Sequence, residues 1–116
     1  MKPGKPLSLP VLHIMLALAD GARHGYAIKQ VVEERTGRAI RLGPGTLYEA
    51  IQRLEDGGLI TESTAAGADA ANGQEAQRRY YRLTDRGWST LRSEVRRLGE
   101  LVDHARRIPR LGKGLA

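Results

Sequence analysis

The hydrophobic pattern is clearest across residues 43–60. Leu47, Ala50, Ile51 and Leu54 fall at i, i+3, i+4 and i+7, which makes one stripe of a short helix apolar. Pro44, Gly45 and Thr46 supply its start signals, with Thr46 the expected N-cap. Gly57 and Gly58 supply the stop, because glycine reaches the left-handed C-cap conformation at little steric cost. Upstream, Leu12, Met15, Leu16 and Ala19 form the buried stripe of a first helix, capped by Ser8, with Pro10 in its first turn and Gly21 at its end. A second helix is expected from about residue 24 to 36, with Ile28, Val31 and Val32 inward and Gly37 as its stop. Residues 38–42 alternate at period two and read as a brief strand or an extended link.

Beyond the third helix, residues 59–63 and 79–83 read as strands, separated by an Ala/Gly-rich stretch with nothing to bury, the expected mobile tip of a hairpin. Strand, long loop and strand directly after the third helix make a wing. Thr84 then opens a last helix, with Asp85 in the first turn, where the helix dipole favours an acid. Along it Trp88, Leu91, Val95, Leu98, Val102 and Ala105 step by three and four, as in a coiled-coil seam, and Pro109 stops it before a basic, fraying tail. Each large apolar side chain buried is worth roughly 1.5–3 kcal/mol. Together they offset an association cost on the order of 4–15 kcal/mol. The seam therefore predicts a homodimer.

The outer face of the third helix carries Tyr48, Glu49, Gln52 and Arg53. A helix buried on one side, with an aromatic and base-edge hydrogen-bonding groups on the other, suits the reading helix of a helix-turn-helix protein in a DNA major groove. Basic residues flank it: Arg38 and Arg41 before, Arg78, Arg79 and Arg82 at the foot of the wing, positions where phosphate contacts would fix register. Glu49 is suited to accept from a cytosine amine or to discourage non-specific binding. A formal charge of +6 in 116 residues favours a polyanionic partner.

Composition excludes much else. With no cysteine there are no disulfides or thiolate metal sites. His13, His24 and His104 lack the i, i+4 spacing of a helical zinc site, and the glycine-rich residues 43–46 lack the lysine of a phosphate-cradling loop. No catalytic residues, metal or cofactor are expected, and the chain is not read as an enzyme. The apolar run at residues 7–19 has the outline of a signal peptide, but Pro10 and His13 interrupt it, and it is too short to span a membrane. A cytoplasmic protein is expected.

The stretches GTLYEAIQRLEDGGLI, RRYYRLTDRG and HGYAIKQ together resemble the PadR family of bacterial transcriptional regulators, over about residues 7–108. The resemblance implies a winged helix-turn-helix dimer that represses from a pseudo-palindromic operator. It also implies a single C-terminal helix that crosses to pack on the partner's first helix, which brings Leu12 and Met15 into the dimer contact. Thr46, Tyr48, Gln52 and Arg53 match reading-helix positions, Tyr26 the tyrosine of the second helix, and the arginines before Tyr80 the wing-base phosphate contacts. Tyr81 and Leu83 should be core. Some members bind planar aromatic drugs between paired tryptophans midway along the last helix. Here that position holds Leu98, with Trp88 nearer the helix start, so what remains is an apolar groove at the dimer interface open to a small apolar effector.

The expected fold is thus mainly α. A winged helix-turn-helix domain of three helices and a two-stranded wing occupies residues 1–83, a long dimerisation helix residues 84–108, and a disordered basic tail residues 109–116. The expected function is a sequence-specific repressor on double-stranded DNA. The alternatives are a winged-helix protein-interaction module and a MarR-like winged-helix repressor.

Overall fold

The computed structural model describes residues 6–63 and 79–114. The elements run α1 (Leu9–Ala19), β1 (Arg23–His24), α2 (Gly25–Arg35), α3 (Pro44–Asp56), β2 (Ile60–Glu62), β3 (Tyr80–Leu83), α4 (Asp85–Arg106) and α5 (Pro109–Gly112). This is a winged helix-turn-helix, mainly helical with a small antiparallel sheet. The expected wing tip, residues 64–78, lies outside the described residues.

α1 is the central helix. The Ser8 hydroxyl accepts from the Val11 N–H, and Gly21, at φ 144°, turns the chain away. The burial is broader than the predicted stripe: Leu12, Ile14, Met15, Ala17 and Leu18 are all buried, while Leu16 and Ala19 are only partly so. The reason is position, because α2, β3 and α4 all pack against this one helix. Leu12 and Met15, expected at the dimer contact, are corrected to core residues of their own chain, as is Leu91 of α4.

α2 begins at Gly25. His24 caps it, with Nδ1 accepting the Ala27 N–H at 3.1 Å. Its end is a Schellman motif: the Gly37 N–H bonds the Glu34 carbonyl at 3.2 Å and the Arg38 N–H bonds the Glu33 carbonyl at 2.7 Å. Residues 38–42 form an irregular link rather than a strand. α3 is capped by Gly43, not by Thr46, which lies in the exposed first turn. Pro44 decides this: its fixed φ suits the first helical position, and the N–H it lacks would have had no helical partner there. The helix ends in a second Schellman motif, Gly58 to Glu55 at 3.0 Å and Leu59 to Leu54 at 2.9 Å, with Gly58 at φ 73°.

Among the described residues the sheet has three strands in the order β1–β3–β2. The wing pair joins Ile60 to Leu83 and Glu62 to Tyr81, and β1 adds Arg23 opposite Tyr81. The third strand is too short to show periodicity in the sequence. Tyr81 and Leu83 face inward and are buried, and burial pushes the Tyr81 phenol up from its ordinary value.

The Thr84 hydroxyl accepts from the Gly87 N–H at 3.0 Å and donates to the Gly58 carbonyl at 2.6 Å, tying the start of α4 to the end of α3. Leu91 is buried and Leu98 packs against the core, whereas Trp88, Val95 and Val102 of the same stripe are exposed. Between Leu91 and Leu98 lies Glu94, the one buried charged residue among those described. It accepts from the Leu7 N–H at 2.5 Å and from Arg97 Nε at 2.6 Å, and these bonds hold its carboxyl below the usual range. α4 stops at Arg106, just ahead of Pro109 as expected, but the proline does not end helical structure altogether. It opens α5, where the tail was expected to fray.

Candidate nucleic-acid interface

The two faces of α3 are sharply divided. Leu47, Ile51 and Leu54 are buried, and Thr46, Tyr48, Glu49, Gln52 and Arg53 are all exposed. Tyr48 and Gln52 are one turn apart, as are Glu49 and Arg53, so these four side chains occupy adjacent positions on one surface. The Gln52 amide donates to Asp56 Oδ1 at 3.0 Å along the helix. Tyr48 is 53% exposed, with its underside resting on Gly25. Tyr26, 55% exposed, stands beside that glycine in the first turn of α2. The two exposed tyrosines thus project from the starts of adjacent helices.

Basic residues before α3 divide by how they are held. Arg23 Nε donates to the Ala17 carbonyl at 2.8 Å, Arg35 pairs with Asp20, and Lys29 Nζ lies 2.9 Å from Glu33. The arginines hold the Asp20 carboxyl below its usual range. The Lys29 ammonium does the same for Glu33, helped by the Leu42 N–H. Those cations serve the fold. Arg38 and Arg41 are exposed and, among the described residues, make no hydrogen bond or ion pair through their side chains, although the charge of Arg38 adds to what holds the Glu33 carboxyl down. At the wing base Arg79 is exposed, with Nε 3.4 Å from Glu62, while Arg78 lies outside the described residues.

Periodicity did not reveal the groups that hold the turn between α2 and α3. The Thr36 hydroxyl donates to the Val32 carbonyl at 2.8 Å and accepts from the Ile40 N–H at 3.1 Å, and Glu33 Oε2 accepts from the Leu42 N–H at 3.4 Å. The only sequence signal was a threonine beside the C-terminal glycine of a helix. Along α4, Trp88, Val95 and Val102 leave an unpartnered apolar stripe, extended by exposed Leu101, Ile108 and Leu111, with Ala105 partly buried. Among the described residues no cluster of His, Cys, Asp or Glu is arranged to hold a metal, and no helix is long and apolar enough to cross a membrane.

The model of the transcriptional regulator PadR-like family matches residues 11–93. Over 92 residues the chain is 37% identical to the transcriptional regulator Rv3488 of Mycobacterium tuberculosis, covering 78% of this chain and 77% of that protein. A stretch of 47 residues is 51% identical to an uncharacterized 37.1 kDa protein in transposon TN4556 of Streptomyces fradiae. That match covers 40% of this chain and only 13% of that protein's length. The Bacillus subtilis PadR structure in complex with operator DNA superposes with a TM-score of 0.62 at 25% identity, over 76% of this chain and 47% of that one.

Proposed function

The chain belongs to the PadR-like family of transcriptional regulators, and on that premise we propose that it is a homodimeric repressor whose two α3 helices read the halves of a pseudo-palindromic operator. Its class is that of DNA-binding regulators, not enzymes. The observation that carries the proposal is the division of α3: every large apolar side chain is committed to the core, and Thr46, Tyr48, Glu49, Gln52 and Arg53 all face outward. Such a helix presents a ready set of donors and acceptors to base edges. Arg38, Arg41 and Arg79 supply the sequence-independent phosphate attraction on either side.

The exposed Trp88, Val95 and Val102 stripe supports the dimer, since a partner would bury it. The joined α4 helices would set the spacing between the two reading heads. A small apolar effector in the groove between them would regulate by preferring one dimer geometry to the other. The site of action is the cytoplasm, where the promoter is.

Genomic footprinting with the purified protein identifies the bound promoter, and gel-shift titration against it tests the reading. The wild type should bind that duplex with strongly salt-dependent affinity. Arg53→Ala should lose about 1–3 kcal/mol of preference over random duplex. Equal promoter affinity in wild type and Arg53→Ala would overturn the assigned reading face. Negligible binding to any duplex at low salt would instead make the chain an interaction module.

A further inference from the structure

On the reading of α3 as the helix that enters the groove, we infer that Asp56 is a positioning residue for base readout. It holds the Gln52 amide so that one acceptor and one donor face outward, the pair that selects adenine over guanine in the operator half-site. Gln52 lies on the exposed face of α3, one turn after Tyr48 and one turn before Asp56, the last residue of the helix. Its Nε2 stands 3.0 Å from Asp56 Oδ1, the amide's one hydrogen bond among the described residues. An ionised carboxylate only accepts, so this contact decides which end of the amide is which: the nitrogen turns to Asp56 and gives it one N–H. The carbonyl Oε1 and the second N–H are left for a base edge.

Helix physics does not ask for an acid at position 56. The C-terminal turn carries partial negative charge and favours a cation, yet here it ends on an exposed aspartate. Nor is the carboxylate needed to finish the helix, because the N–H groups of Gly57, Gly58 and Leu59 already bond back to Arg53, Glu55 and Leu54. What it does hold is Gln52. In the major groove adenine presents the N6 amine and the N7 acceptor, which a glutamine amide meets with its oxygen and one N–H. Guanine presents two acceptors, O6 and N7. An amide with one N–H committed to Asp56 has a single donor for the two, and its oxygen would face O6. Glu49, three residues earlier on the same face, is a second acceptor-only group and repels the same edge. Without Asp56 the amide is free to turn over and give both N–H groups to guanine.

The test replaces each base pair of one half-site of the footprinted promoter in turn. Every duplex is titrated with full-length wild type, Gln52→Ala, Asp56→Ala and Asp56→Glu, alongside thermal melting. The wild type should prefer adenine to guanine at one position by roughly 5- to 150-fold, the range of a bidentate contact, and Gln52→Ala should lose the preference there alone. Asp56→Ala should shrink it by roughly threefold or more, with the preferences at other positions and the melting temperature unchanged. Asp56→Glu, which restores an acceptor-only group, should recover most of it. A preference as large in Asp56→Ala as in the wild type would overturn the positioning role. So would a loss spread equally over all positions, the mark of a general charge or folding effect, or a Gln52-dependent position that takes guanine. A wild type that binds selectively with no position sensitive to Gln52 would overturn this role and leave the chain a DNA binder. A wild type that binds no duplex would bring down the DNA-binding reading as well.

Discussion

The ring of Tyr48, at the start of α3, rests on the Cα of Gly25, at the start of α2, so closely that a Cβ at position 25 would stand 2.8 Å from the phenol oxygen. This contact joins the Gly-Tyr and Thr-Leu-Tyr stretches in one feature: the glycine is the seat of the reading helix's aromatic. In Gly25→Ala the obstructing atom is the free end of a flexible side chain, so the fold should tolerate it while Tyr48 is re-aimed. Promoter affinity should then fall, by about 1–3 kcal/mol at most, with little change in melting temperature. A double-mutant cycle checks the cause: in a Tyr48→Ala background the alanine at 25 should have no further effect.

Gly87 is a different kind of glycine. A Cβ there would lie 2.0 Å from the Leu59 carbonyl oxygen and 3.3 Å from Leu83 Cδ2. Here the obstacle is backbone, anchored by the Thr84 N–H at 3.1 Å. Gly87→Ala should force α4 off the wing and destabilise by about 1–3 kcal/mol or more. Urea denaturation measures it, and an unchanged midpoint would contradict the close approach.

Glu94 links α4 to the segment before α1. Its folded carboxyl is held below the ordinary glutamate range, first by Arg97 and then by the Leu7 N–H. A depressed acid contributes stability that is fully present above its unfolded value and lost as pH falls through the folded one. The wild type should therefore weaken on acidification below about pH 4.5. Glu94→Gln should flatten that part of the profile. Glu94→Ala, which strips an acceptor from the Leu7 N–H, should cost about 1–3 kcal/mol at neutral pH. Melting temperatures recorded across pH 3–7 distinguish the two variants.

Val102 is 41% exposed and Trp88 37%. Neither side chain is buried within its own chain, so Val102→Asp should leave the fold intact while placing a charge in the proposed dimer seam. Light scattering after size exclusion should show the mass fall toward that of one chain, with promoter affinity falling alongside. Trp88→Ala should act in the same direction more weakly. A variant that keeps the wild-type mass would move the interface elsewhere.

Helical periodicity was enough to find α1, α2, α3 and α4, because an amphipathic helix writes its buried face into the spacing of Leu47, Ile51 and Leu54 whatever it packs against. The outward set of Tyr48, Glu49, Gln52 and Arg53 followed from the same spacing, and the strands around Tyr81 and Leu83 from short runs with strand composition. Contacts between distant segments were needed for the rest. Spacing cannot reveal that three elements close over α1, which moves Leu12 and Met15 from a supposed interface into the core. It cannot show that a two-residue strand at Arg23 joins the wing, or that Gly43 rather than Thr46 caps α3. Nor can it sort Arg23 and Arg35, held by a carbonyl and a carboxylate, from Arg38 and Arg41, whose side chains hydrogen-bond no described residue. A residue's face is set by its neighbours in the chain, but its partner is set by whatever the fold brings within a few ångströms.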